Sequence, residues 1–204
     1  MKRFYLLISF ITIVSITSSL LAQQKTFFER VTLEVSGGYS LPVSPSRSDA
    51  SLSDFAGFRN FSLGANYELS NLAGLRFTYG NHMFEDKNNS SMGVTHHKLM
   101  AEGTFNIIES IEMIRAPFDV MAHAGAGISL GKSKLTSDVD KMIALQIGLM
   151  PRYRITNNFS VHADATYVVN FSQDYFYDGG TASKDNKQET GNYFMLNIGV
   201  GYSF

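Results

Sequence analysis

The chain has 204 residues, no Cys and no Trp, and 17 basic against 18 acidic side chains. That length suits one domain, the missing Cys excludes disulfides, thiol chemistry and lipid attachment at a cysteine, and the lack of a basic surplus argues against nucleic acid as a partner. Removing the first turn of the chain sharpens the balance, because Lys2 and Arg3 precede the expected cleavage point described next and their loss leaves 15 basic residues, a net charge of about −3.

Met1-Lys2-Arg3 is followed by an apolar stretch from Phe4 to about Ile16, then by Thr17-Ser18-Ser19-Leu20-Leu21-Ala22. A charged start, an apolar middle and a small residue before Gln23 make a tripartite secretory signal peptide. Ser15 interrupts the run well before the roughly 20 apolar residues that a spanning helix needs. The expected organisation is therefore a cleavable signal peptide at 1–22 and one domain at 23–204. Beyond the leader no apolar run approaches helical spanning length, which excludes a helical membrane protein and leaves an exported soluble domain or a membrane β-barrel.

The front half reads as four strands, Val31 to Leu41, Phe58 to Leu69, Gly74 to Phe84 and Val94 to Ile107. The back half alternates more strictly. Phe118, Val120, Ala122, Ala124, Ala126, Ile128 and Leu130 share one face, opposite Asp119, His123, Gly125, Gly127 and Ser129. Ile143, Leu145, Ile147, Leu149 and Tyr153 stand opposite Ala144, Gln146, Gly148, Met150, Arg152 and Arg154, with Pro151 marking a bulge or rim because it lacks a ladder donor. Phe159 to Phe171 places its apolar side chains opposite Ser160, His162, Asp164, Thr166 and Asn170. The last strand puts Phe194, Leu196, Ile198, Val200, Tyr202 and Phe204 on one face, with Met195, Asn197, Gly199, Gly201 and Ser203 on the other. Side chains on a strand alternate between two sides, so each segment offers an oily stripe to one medium and a polar stripe to the other.

Eight strands of about ten residues or more match a closed antiparallel barrel tilted across a bilayer. The expected fold is all-β: an eight-stranded, up-and-down transmembrane barrel. Ser70 to Ala73 and Thr156 to Asn158 are short turns, whereas Pro42 to Asp54, Glu85 to Met92, Lys132 to Val139 and Gln173 to Glu189 are longer and polar, the exception being the long connection Glu109 to Pro117. With both termini periplasmic, the long loops face outward. Tyr39, Tyr79, Tyr153, Tyr167 and Phe171 are candidates for the interfacial aromatic girdle.

An eight-stranded barrel is just wide enough for side chains to fill, so inward charges must pair. Folding the hairpins at the expected turns sets Glu68 opposite Arg76, Arg76 opposite Glu102, Asp119 opposite Arg152, and Arg152 opposite His162. These two rows form the expected lumen charge network and are read as structural plugs. An ion path is the alternative. A second cluster, His82, Glu85, Asp86, Ser90, Ser91, His96 and His97, contains residue types used in metal ligation and hydrolysis, but its spacing fits no metal motif and its loop residues are those of any solvated turn. Tyr175, Phe176 and Tyr177, set among Asp174, Asp178, Gly179 and Gly180, are a candidate exterior contact loop, with an aromatic rim as the other reading.

Ending on Phe204, with Tyr202, Val200 and Ile198 before it, resembles the signal by which outer-membrane barrels are recognised for insertion. With the leader, the dyad segments, the Ala-Gly-Ala-Gly run within Phe118 to Leu130, and Asn197 to Phe204, the chain resembles the outer membrane protein A type barrel superfamily, without its C-terminal peptidoglycan-binding domain. The resemblance implies an outer-membrane location in a Gram-negative-type cell, contact with membrane lipids and barrel-assembly machinery, loops open to an extracellular ligand, and a monomer. No cofactor, metal or catalytic residue is expected. A structural or surface-interaction role is favoured, with a lipid-modifying barrel enzyme or a narrow channel as alternatives.

Overall fold

The computed structural model describes residues 26–46, 51–110, 117–181 and 188–204. The leader expected at 1–22 lies outside them. Strands follow in chain order as β1 (Val31–Ser44), β2 (Gly57–Glu68), β3 (Ala73–Glu85), β4 (Gly93–Asn106), β5 (Phe118–Ser133), β6 (Val139–Arg154), β7 (Phe159–Gln173) and β8 (Glu189–Ser203). Each is antiparallel to its sequence neighbours, and β8 returns to β1 with Val35 opposite Val200, closing the barrel. Closure leaves no strand edge to template aggregation.

The dyad dictates which side of the wall each residue takes. On β6, Ile147 keeps 62% of its surface exposed and Leu145 44%, while Ala144, Gln146 and Met150 between and beyond them are buried. On β8, Ile198 is 74% exposed and its neighbour Asn197 is buried. A soluble barrel would do the reverse, since withdrawing one large aliphatic side chain from water is worth about 1.5–3 kcal/mol. An oily wall all the way round a polar interior is stable only where hydrocarbon replaces water.

The strands run further toward the long-loop end than alternation alone marks. β8 begins at Glu189 and not at Phe194, because Glu189, Thr190 and Asn192 are polar on both faces and carry no dyad, yet their backbone still pairs with β7 and β1. At that end β7 holds a bulge: the register shifts between Asn170 and Gln173, Ser172 takes φ 64°, and Phe171 and Ser172 both face outward. Pro151 produces no bulge. It pairs with Val120 of β5 in unbroken register, and the ladder to β7 skips from Leu149 to Arg152, so the missing N–H opens a gap on one side only. Of the long connection after β4, Ile107–Ser110 forms a single helical turn and residues 111–116 lie outside the described ones.

Candidate functional site

The lumen is built from the inward positions of all eight strands. At mid-height Arg76 Nε donates to Glu34 Oε2 at 2.8 Å, and both its terminal nitrogens donate to Asp164 Oδ2 at 3.1 and 3.2 Å. Glu102 Oε2 stands 3.7 Å from Arg76 Nη1. His123 bridges the two acids, Nδ1 to Glu102 Oε2 at 2.6 Å and Nε2 to Asp164 Oδ1 at 3.1 Å. Gln146 Nε2 donates to Glu102 Oε1 at 2.5 Å, and Lys98 Nζ donates to Gln146 Oε1 at 2.7 Å. Thr78 and Thr166 hydroxyls complete the shells of Glu102 and Asp164. Three carboxylates and three basic side chains thus form one hydrogen-bonded chain, which is the condition for burying charge without a large penalty. All six are buried.

Nearer the short-turn end, Asp119 accepts from Arg152 Nη2 at 3.1 Å, from Arg154 Nη2 at 3.0 Å and Nε at 3.2 Å, and from Asn106 Nδ2 at 3.2 Å. The fork of Arg154 meets the carboxylate with two nitrogens, the geometry that arginine offers best. A polar mouth follows below, lined by Glu29, Glu68, Glu109, Arg152 and Arg154.

The paired rows expected from hairpin folding need one correction. Arg76 faces Asn66, and Glu68 faces Gly74. The turn is tighter than expected: Leu69 and Ser70 both donate their N–H to Ala73 O at 3.0 Å, and Ser70 Oγ accepts from the N–H of Leu72 and Ala73. That shifts the pairing by two positions, so Glu68 keeps its inward face and loses Arg76. Arg76 does stand opposite Glu102, Asp119 opposite Arg152, and Arg152 opposite His162. His162 makes no hydrogen bond through either ring nitrogen; its ring occupies the space over Gly199. Alternation sets His123, Gln146, Arg154 and Asp164 on the polar faces without joining them to the network, and it singles out neither Glu34 nor Lys98. Glu34 and Asp164 sit on β1 and β7, neither adjacent to β3, so no hairpin register could have joined them to Arg76.

Toward the long-loop end the lumen holds an aromatic and aliphatic cluster among buried polar side chains. Phe84, Val94, Val168, Tyr193 and Met195 pack with Phe55 from the first long loop and Tyr177 from the fourth. Tyr177 meets Phe84 edge to face at a centroid distance of 4.7 Å, and its hydroxyl donates to Asn192 O at 3.0 Å. Burial pushes this phenol well above its ordinary pKa, so it stays a donor. The segment is stapled inward by Gly93 N–H to Asp178 O at 3.0 Å and by Ser133 Oγ to Gly179 O at 2.7 Å, with Gly179 at φ +88°. Tyr175 and Tyr177 are therefore buried and do not form the exterior contact surface that was a candidate for this loop; Phe176 is half-buried. Three aromatics within a short polar loop carry no direction in sequence, and the free energy of filling the barrel mouth decides it.

Folding splits the His-rich cluster, keeping His82 and His96 together as cross-strand partners and parting them from the rest. His82 and His96 point inward and are fully buried, while His97 points outward with Tyr79 Oη at 2.9 Å. Glu85 pairs with Arg59 at 2.8 Å and with Lys134. Asp86 accepts from the N–H groups of Asn88 and Asn89, and Ser91 Oγ donates to Asn89 Oδ1 at 2.6 Å. Ser90 O accepts from Lys134 Nζ at 2.7 Å. Ile198, Val200, Tyr202 and Phe204 all present exposed side chains on the outer wall.

An apolar exterior, a closed eight-stranded wall and a hydrogen-bonded charged interior define an integral membrane β-barrel of the outer-membrane type. Among solved structures the chain is similar to Neisserial surface protein A, with 16% identity over 85% of this chain and 96% of that one at a TM-score of 0.58. It is also similar to the N-terminal β-barrel domain of Pseudomonas aeruginosa OprF (15% identity, 85% and 97% covered, TM-score 0.48) and to the attachment invasion locus protein Ail of Yersinia pestis (15%, 85% and 96%, 0.47). The expected eight-stranded outer-membrane barrel is the fold found. No family profile matches the chain, and no curated protein matches its sequence.

Proposed function

We propose that this protein is an exported, monomeric outer-membrane barrel with a structural and surface-interaction role, its lumen closed by its own side chains, and that it performs no chemistry. The carrying observation is the unbroken chain Glu34, Arg76, Asp164, His123, Glu102, Gln146 and Lys98, whose contacts join β1, β3, β4, β5, β6 and β7 through the interior. An ion would have to displace several buried charge-assisted bonds to pass. Above it, the aromatic cap formed with Tyr177 adds a second barrier of different chemistry. His97 faces the outer wall, away from the buried His82–His96 pair inside the barrel, and Ser91 lies in a loop, which favours the non-enzymatic reading over a lipid-modifying one.

Residues 1–22 serve in this reading as the export leader, and Ile198, Val200, Tyr202 and Phe204 as the strip read by the assembly machinery. The outward-facing loops remain the place for an extracellular ligand. The test is protein purified from outer membrane, run unheated and boiled, then reconstituted in planar bilayers. A heat-dependent band shift, a mature N-terminus near Gln23 and no stable conductance are expected. Steady open-channel currents from the folded form would refute the closed lumen, and release from the envelope without detergent would refute membrane residence.

A further inference from the structure

Residues 174–181 are bonded to one another as well as to the barrel. Phe176 N–H donates to Gly180 O at 2.8 Å, Gly179 N–H to Phe176 O at 2.9 Å and Gly180 N–H to Asp178 Oδ1 at 2.7 Å, while Tyr175 pairs with Thr181. A turn tied up in this way can move as one piece. At its root the β7–β8 ladder is interrupted by the bulge, where Ser172 sits in the left-handed region at φ 64°.

The turn is fastened to the barrel mouth on both sides. Asp174 N–H donates to Asp140 Oδ2 at 2.8 Å and Gln173 Nε2 to Tyr175 O at 2.6 Å; on the other side Gly93 N–H donates to Asp178 O at 3.0 Å and Ser133 Oγ to Gly179 O at 2.7 Å. Between these ties Tyr177 reaches down to Asn192 O at 3.0 Å and packs with Phe84 and Phe55.

The layer beneath opposes these ties. His96, Asn170, Gln173 and Tyr193 are wholly enclosed, each at 0% exposure. Each also has a side-chain atom that no protein group meets: His96 Nε2, the Tyr193 hydroxyl and one end of either amide. Tyr177 lies over this layer, with its ring centroid 5.9 Å from that of His96. An enclosed polar group without a protein partner can be satisfied only by water, and leaving it unmet costs about as much as a lost hydrogen bond. Water reaches this layer from the long-loop side once the turn lifts. Deeper in the lumen, the bond from Lys98 to Gln146 and the charged network beyond it take no part in the lift.

We propose that residues 174–181 form a lid poised to open, held down by Tyr177 and its flanking backbone ties and raised by hydration of the polar layer it covers. The upper lumen then alternates between a dry state and one open to the long-loop side. This goes beyond the closed-lumen reading, because the charged network seals the barrel whether the lid is up or down.

Hydrogen exchange of the isotopically labelled whole protein, folded in detergent micelles and read by NMR, tests it. The Gly93 and Asp174 amides are the reporters, since both bond across the gap that lifting creates. After correction for intrinsic rates, both should exchange at least about a hundred-fold faster than ladder amides in the middle of β6, as a local opening does relative to a global one. Two variants that each remove a single phenol oxygen should act in opposite directions. Y193F removes a hydroxyl that no protein group meets and should slow both reporters about ten-fold, whereas Y177F removes one that ties the lid down and should speed both about ten-fold. Gly93 exchanging as slowly as the β6 ladder, both variants shifting the rates the same way, or neither shifting them would overturn the lid. A band shift on boiling, recorded for each variant, separates that failure from failure of the barrel reading itself.

Discussion

Arg76 on β3 and Asp164 on β7 meet at 3.1 Å across the barrel, joining walls that no hairpin connects. The same guanidinium holds Glu34 on β1. Replacing it by Gln leaves Glu34, Glu102 and Asp164 facing one another with their main cation gone. R76Q should lose about 3–5 kcal/mol of stability, the cost of leaving buried charge uncompensated, measured by urea unfolding in phospholipid vesicles. The triple variant E34Q/R76Q/D164N should recover much of that loss. A change below about 0.5 kcal/mol in R76Q, the range of ordinary surface substitutions, would show that the network does not hold the barrel together.

How much of this was readable beforehand follows from what period-two alternation encodes. It encodes which side of a wall a residue takes, so Ile147 outward and Asp164 inward were legible from β6 and β7 alone. It encodes lateral partners only as well as the turn is placed, so Arg76 and Glu102 were found across one hairpin while Glu68 was assigned two positions off across another, where Ser70 tightens the bend. It carries nothing about contacts across the lumen. The bonds from Arg76 to Glu34 and Asp164 depend on closure, and the inward fold of Tyr177 depends on an apolar mouth assembled from β3, β4, β7 and β8.

Gly80 supplies a cleaner measure of interior packing. A methyl group added there would collide with the ring of His82, two residues on and on the same inward face, and would meet no other atom as closely. G80A should cost about 1–3 kcal/mol in the native background, as overpacking does. In an H82A background the same change should be nearly neutral. A double-mutant cycle by equilibrium unfolding reads the difference as a coupling energy, and additive effects would mean that the His82 ring does not lie over Gly80.

The Tyr177 strap predicts local opening with the barrel intact. Tyr177 is buried against Phe84, His96 and Tyr193, and the Gly93 N–H and the Ser133 hydroxyl bond the same short segment. Y177A removes an aromatic whose loss from a core typically costs 3–5 kcal/mol. That loss should fall on the loop and not on the strands, because the eight ladders close without it. Limited chymotryptic cleavage after Tyr175 and Phe176, buried and half-buried in the wild type, should become at least ten-fold faster on whole cells, while the unheated band still migrates as a folded barrel. Unchanged cleavage in Y177A would place the strap's stability elsewhere.

The orientation of the oily stripe has a depth-dependent consequence that no water-facing wall would share. Ile147 lies midway along β6 and is 62% exposed, whereas Val139 begins the same strand at its extracellular end and is 48% exposed. Arginine placed on the lipid face costs about 2–4 kcal/mol at the bilayer midplane and about 0–1 near an interface. I147R should therefore destabilise the barrel by several times the effect of V139R in vesicle unfolding, although both sites start out apolar and accessible. In water the two substitutions would be similar or favourable, because both would replace exposed hydrocarbon with charge. Equal costs at 139 and 147 would mean that hydrocarbon does not meet this face, and with it would go the reading of the polar network as an interior sealed from the membrane.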